Sequence, residues 1–261
     1  MKLTWEGKPI AQWQNQWQIP LLEVHESLTS TNSRARELIK KGGLPFTTVV
    51  AETQTEGRCR DGSRWHSPKG KGLWMSFLLQ NPSTQPATIV PALTGLALLE
   101  AMESVCDSVD LGIKWPNDLV INGKKVGGIL CEAFGKESLV VGIGVNLSQK
   151  PDDFPEFLLG RAISIEMSSG QVVEPSSLVG PILSSCKSSL DPLPAALSPK
   201  LIERLGAKST VIGTSVTLSN GSEGVVTGFS PLGAMLVLTK NNLHHINSTA
   251  GIRFHIDGSK R

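Results

Sequence analysis

The chain reads as an α+β protein that ends in a small β-barrel, and three observations carry that assignment. Hairpin signals stand both before and after the helical stretches, without the strand–helix alternation that builds parallel βαβ sheets. Asn122-Gly123 separates two apolar runs, the strongest short hairpin signal in the chain. From about Ser209 the sequence breaks into short β-rich runs divided by Asn-Gly, Ser-Pro and Gly turns, which predicts roughly four or five strands of a small barrel. The division this implies is residues 1–208 and 209–261.

Element by element, residues 1–20 carry Trp5, Trp13 and Trp17 among glutamines. They either cover part of a core or form a mobile tail. "STNSRARELIKKGG" reads as a helix: Thr31 or Asn32 can cap it, Ala35, Leu38 and Ile39 share a face, and Gly42-Gly43 stops it. "TTVVAET" and "LWMSFLL" are strand-length, and the first is β-branched. "QPATIVPALTGLALLEAMESV" is apolar nearly all round and long enough for a buried helix, with Pro91 near its first turn. "LGIKW", "DLVI", "KVGGILCEA" and "SLVVGIGVNL" follow as strands, and helical segments are expected near 176–190 and 199–206. No internal repeat of fixed period is present.

Bulk composition narrows the function classes. With 261 residues and a net charge of +2, the chain can bury a sizeable core and gives no global reason to bind nucleic acid or a membrane surface. The four cysteines are far apart, without a CxxC pair, and the five histidines lack HExxH spacing; neither a disulfide scaffold nor a zinc site is indicated. The start has no apolar run behind its lysines, and no stretch approaches the length of a membrane span. The expectation is a soluble, cytoplasmic protein.

Against that neutral background, "GRCRDGSRWHSPKGKG" at 57–72 concentrates Arg58, Arg60, Arg64, Lys69 and Lys71 against Asp61 alone. Guanidinium groups and glycine amides both donate hydrogen bonds, so together they favour an anion. Taken alone, the run reads more readily as a solvated loop. Lys114 in "GIKWPND" faces away from Ile113 and Trp115 on a strand, where a lysine either snorkels to water or offers a fixed charge to a carboxylate or phosphate. Asn117 and Asp118 suit the turn that follows. Gly128, Gly142 and Gly144 interrupt good strands, as happens at a bulge or where something presses on the backbone. The amide of Asn146 can pair with the N6/N7 edge of adenine.

In this order and spacing these pieces resemble the biotin protein ligases. The matching segments are "STN" at 30–32, "AETQTEGRCRDGSRWHSPKGKGLWMS" at 51–76, "KWPNDLVINGKKVGGILCE" at 114–132 and "GIGVNL" at 142–147. "GFSPLGAMLVL" is similar to that family's C-terminal SH3-like barrel, so the resemblance spans roughly 25–258. It implies a mixed sheet flanked by helices, then an SH3-like barrel. It also implies a ligase that converts biotin and ATP to biotinyl-5'-AMP and passes biotin to a lysine of a biotin carboxyl carrier domain, with acetyl-CoA carboxylase the expected client.

By the same resemblance, Ser30, Thr31, Asn32, Gln54, Gly57, Arg58, Cys59, Arg60, Trp65, Lys114 and Gly128 are expected around biotin. Arg58, Arg60, Trp65, Lys114, Asn117 and Asn146 are expected around ATP. Lys114, Arg58 and Arg60 would be the catalytic cations, and Mg²⁺ would come with the ATP phosphates. No DNA or membrane partner is implied, and a homodimer is compatible with free sheet edges. The family's loop pattern is GRGRxGRxW; here Cys59 stands for the second glycine and Ser63 for the last arginine.

Three rival readings are lipoate ligation, a biotin-responsive DNA-binding repressor and a non-catalytic adenylate binder. Lipoate ligation lacks its RRxxGGGxVxHD segment here. The stretch before Ser30 is short for a DNA-reading domain with its own core. Only Cys59 and Ser63 favour the third.

Overall fold

The computed structural model describes residues 1–80, 88–106, 109–135 and 137–255. Its chain begins with two short paired strands, β1 (Thr4–Trp5) and β2 (Lys8–Pro9), and helix α1 (Ile10–Trp17). The three tryptophans of this segment form one cluster: Trp13 stacks on Trp17 at 4.9 Å, and Trp5 meets both edge-on at 6.1 Å. The indole N–H of Trp13 donates to the Trp5 carbonyl at 2.9 Å. All three are buried in the main core, so the segment is a cover and not a tail.

The central sheet has seven strands. Strand β3 (Leu22–His25) is joined by helix α2 (Thr31–Lys40) to its parallel neighbour β4 (Thr48–Ala51). The others are β5 (Gly72–Gln80), β6 (Leu111–Lys114), β7 (Asp118–Ile121), β8 (Lys124–Phe134) and β9 (Ser138–Asn146). The spatial order is β3-β4-β5-β9-β8-β7-β6, and every pairing except β3–β4 is antiparallel. Asn122 and Gly123 both have positive φ, as the predicted two-residue hairpin between β7 and β8 requires.

Period-two alternation divides the sheet's faces. Leu73, Met75, Phe77 and Leu79 of β5, with Val141, Ile143 and Val145 of β9, face the main core beneath helices α3 (Ile89–Glu103) and α5 (Pro175–Leu190). Helix α3 is buried on nearly every side, as its sequence predicts, and Pro91 lies in its first turn; residues 85–87 of the predicted helix fall outside the described residues. Leu78 and Val140 on the opposite face pack under Ala35 and Leu38 of α2. Helix α2 covers only part of this second face, leaving Trp74, Ser76, Gly128, Gly142 and Gly144 beside it.

Helices α4 (Ile165–Ser169) and α6 (Pro199–Ala207) lead to a second, five-stranded antiparallel sheet. Its strands are β10 (Ser215–Thr217), β11 (Glu223–Phe229), β12 (Met235–Thr239), β13 (Leu243–Ile246) and β14 (Arg253–His255), in the order β13-β12-β11-β10-β14. Val216, Val226, Phe229, Met235 and Val237 fill its interior, giving the barrel-like unit expected. Backbone bonds fasten it to the first sheet. Ile113 donates to Lys208 at 2.7 Å, Thr210 donates to Ile113 at 3.0 Å, and the Trp115 indole N–H reaches the Gly233 carbonyl at 3.0 Å. Among the described residues no helix is long and apolar enough to cross a membrane.

Candidate functional site

The uncovered part of the sheet is a floor of glycine. A Cβ on Gly144 would lie 2.6 Å from the Trp65 ring, and one on Gly128 would lie 3.0 Å from it. Such contacts leave no room for a side chain. Gly128 and Gly144 are therefore places where the Trp65 indole rests directly on β8 and β9, whereas Gly142 lies against the Asn32 side chain. Its Nε1 is buried there without a hydrogen-bond partner, and Trp74 meets the ring edge-on at 6.3 Å.

A polar wall rises beside this floor from the start of α2. Ser30, in extended geometry, is the N-cap residue, which corrects the expectation of Thr31 or Asn32 there. Its side chain does not cap. Instead Gln54 accepts from the Thr31 amide at 2.9 Å and lies 3.1 Å from its hydroxyl, satisfying an otherwise orphaned helix N–H from another segment. Thr31 and Asn32 thus face the sheet, where the Ser76 hydroxyl sits 2.7 Å from Thr31 Oγ1 and 2.6 Å from Asn32 Oδ1. One hydroxyl has one proton, so it donates to one of them at a time.

Residues 57–65 form a small hairpin folded over the floor. Arg58 pairs with Arg64 across it, Cys59 donates to Ser63 at 2.8 Å, and Trp65 donates to Gly57 at 2.9 Å. Ser63 makes the turn with Asp61, whose carboxylate accepts from the Ser63 amide and hydroxyl; those bonds hold Asp61 below the ordinary carboxylate range. Burial raises the Cys59 thiol above its usual value, so it stays protonated and poorly nucleophilic near neutrality. The Arg58 guanidinium reaches Ser33 Oγ at 3.0 Å and Glu132 at 3.2 Å.

Two adjoining cavities result. The smaller, about 40 Å³, is lined by Ser30, Thr31, Asn32, Gln54, Arg58, Cys59, Arg60, Trp65, Asn117, Lys125, Gly128, Gly142 and Gly144 among others. The larger, about 670 Å³, continues past Arg60, Trp65, Asn117 and Lys125 toward Asp118, Asn146, Phe157, Arg161 and residues 248–250 of the barrel. Gly57 is buried directly behind Trp65 and Ser67. Nearly all the residues expected around biotin therefore border one space.

Two expected residues, Lys114 and Asn146, are placed differently from the rest. Lys114 does project from the predicted face, but the register runs Lys114, Asp118, Gly128, Gly144 across four strands. It is two strands from the glycine floor, roughly 10 Å at ordinary strand spacing, and it is exposed and absent from both cavity linings. The cation that lines both is Lys125, whose Nζ lies 2.7 Å from Asp118 Oδ1 and 5.1 Å above the Trp65 ring. A bulge explains its placement. Leu119 pairs with Gly127 and Val120 with Lys125, leaving Val126 unpaired and turning Lys125 to the site while Val126 enters the core.

The other is Asn146. It borders the larger cavity, yet its Nδ2 donates to the Ile163 carbonyl at 3.1 Å and its Oδ1 accepts from Gln149 at 2.9 Å. These bonds pin the 147–163 segment and use part of the amide's donor and acceptor capacity.

The comparisons agree with this arrangement. The biotin/lipoate A/B protein ligase family description matches residues 24–148. The bifunctional ligase/repressor BirA of Bacillus subtilis is 39% identical over 168 residues, 62% of this chain and 51% of its own length; the chain spans about half of that relative. The biotin–[acetyl-CoA-carboxylase] ligase of Paracoccus denitrificans is 34% identical over 172 residues, covering 71% of that protein. The biotin protein ligase of Aquifex aeolicus in complex with biotin and ATP superposes with a TM-score of 0.78 at 28% identity, over 91% of this chain and all of that one.

Proposed function

The chain belongs to the biotin/lipoate A/B protein ligase family, and from that premise we propose that it joins biotin to protein in two steps. In the first, the biotin carboxylate attacks the α-phosphorus of ATP, forming biotinyl-5'-AMP and expelling pyrophosphate. In the second, a lysine amine of a biotin carboxyl carrier domain attacks the acyl carbon and AMP departs. Acetyl-CoA carboxylase is the proposed client, the cytoplasm the proposed setting, and residues 1–208 and 209–261 the proposed catalytic and C-terminal units.

The observation that carries this reading is the pairing of two unlike environments in one space. Ser30, Thr31, Asn32 and Gln54 offer neutral donors and acceptors suited to a cyclic urea, while Arg58, Arg60 and Lys125 supply charge to the same lining. The first step brings two anions together, so fixed cations at the reacting centre are its main requirement. One such preorganised donor is typically worth about 3–4 kcal/mol of barrier. Lys125 takes the role expected of Lys114. The hairpin at 57–65 would shield the mixed anhydride from water. Mg²⁺ would neutralise departing pyrophosphate when it is bound to the nucleotide. Asp61 and Asp118 are the carboxylates bordering the larger cavity, and Asp118 is already paired with Lys125, so no dedicated metal cage is assigned.

The decisive assay supplies ATP, labelled biotin and an apo-carrier domain. Pyrophosphate release that depends on biotin, followed by label in the carrier, is the expected result. Label retained without transfer would indicate a binder, and transfer of lipoate alone would place the chain in the other branch of its family.

A further inference from the structure

Glu132 is a buried-side acid of β8 to which the two-step reaction assigns no task. Its side chain is 19% exposed and faces α2 on the same side of the sheet as Gly128. Its two carboxylate oxygens collect three donors from two other segments. Oε1 accepts from Arg36 at 2.7 Å; Oε2 accepts from the Asn32 amide at 2.7 Å and from Arg58 at 3.2 Å. Asn32 and Arg58 border the smaller cavity, whereas Glu132 and Arg36 do not.

Each contact fixes something that the ligand would meet. A primary amide can be turned over with little change of shape, exchanging its donor and acceptor. Here Nδ2 donates to Glu132 and to the Leu130 carbonyl at 3.3 Å, so Oδ1 must point toward Ser76 and the Gly142 backbone. A carboxylate only accepts, so it allows one orientation of that amide. The Arg58 guanidinium is the side-chain tie between the 57–65 hairpin and α2, through Ser33 and Glu132. Arg36 and Arg58 together bring two positive charges to one negative group. The contact to Arg58 is single and, at 3.2 Å, long for a charge-assisted bond. Glu132 therefore aims Arg58 without neutralising it.

We propose that Glu132 is a positioning residue that sets the hydrogen-bond polarity of Asn32 and the resting place of Arg58 before biotin binds. This rests on the biotin ligase reading above. It is a role exerted through two other side chains, so it belongs chiefly to substrate capture.

Steady-state kinetics of the full chain, Glu132→Gln and Glu132→Ala test it. The biotin KM of Glu132→Ala should rise by about 10- to 100-fold while kcat falls no more than about threefold, the pattern of lost binding geometry. Glu132→Gln, which keeps one acceptor oxygen, should recover part of the affinity. Arg36→Ala, which leaves Glu132 facing Asn32 and Arg58, should raise the biotin KM by less than Glu132→Ala does. Thermal unfolding monitors folding in parallel. An unchanged biotin KM in the folded alanine variant overturns the proposal, as does a Tm loss with both kinetic constants intact. If the unaltered chain gives no biotin-dependent turnover, the ligase reading fails instead, and the two failures are distinct.

Discussion

At Lys125 one ammonium group meets Asp118 and the Trp65 face at the junction of two cavities. Replacing it with alanine should slow adenylate formation by about 100- to 1000-fold, since a preorganised cation at developing charge is lost. Lys114→Ala should stay within roughly threefold of the parent, as an exposed charge two strands away interacts weakly through solvent. Biotin-dependent pyrophosphate release measured on both variants separates them. The contrast shows where the sequence was legible. Residue types and spacing pointed correctly to Ser30, Thr31, Asn32, Gln54, Arg58, Arg60 and Trp65 as neighbours. They named Lys114 and left out Lys125, which a bulge turns to the site by shifting side-chain parity by one residue; the Gly127-Gly128 pair in "NGKKVGG" is the signal that announces such a bulge. The structural bond of Asn146 was not legible for another reason: its partner carbonyl, Ile163, is 17 residues away.

At the scale of elements, the turn at Asn122-Gly123, the buried α3 and the strands of both sheets were readable because local chemistry and hydrophobic period agreed. Strand β3 and helix α1 were not, since a four-residue strand and a glutamine-rich helix owe their order to tertiary packing. Strand β3 also carries an ionic network in which Arg34 of α2 grips Glu23 through Nε at 2.7 Å and Nη2 at 2.9 Å, with His25 at 2.9 Å from the same carboxylate. Arg34 foremost, and His25 after it, hold Glu23 below its ordinary value of 4.5. A carboxylate depressed in the folded state contributes stability above its unfolded pKa and loses it as pH falls through the folded one. Unfolding midpoints should therefore drop below about pH 4.5, and Glu23→Gln should be less stable than the parent at neutral pH with a shallower acid decline. Urea titrations across pH 3–7 would read both effects.

For the whole molecule, the larger cavity is a joint product of the two sheets. Residues 248–250 approach it from the barrel, while the smaller cavity draws its lining from residues 30–144. Ala250→Trp should accordingly raise the ATP KM by about tenfold or more through steric filling and leave equilibrium biotin binding within about twofold. Isothermal titration with each ligand checks this separation. No local pattern in the barrel sequence announces it, because it depends on how Trp115 and the Lys208–Thr210 crossing fasten the second sheet to the first. Trp65, finally, is both wall and tenant: its ring packs against Gly128 and Gly144 on the strands where a fused bicyclic vitamin would fit. Guest and indole are expected to compete for a single seat, so arrival should wait for the seat to clear. In stopped-flow fluorescence the observed association rate should level off at high biotin instead of climbing in proportion. Trp65→Ala should restore the linear climb and shorten the stay of whatever sits down.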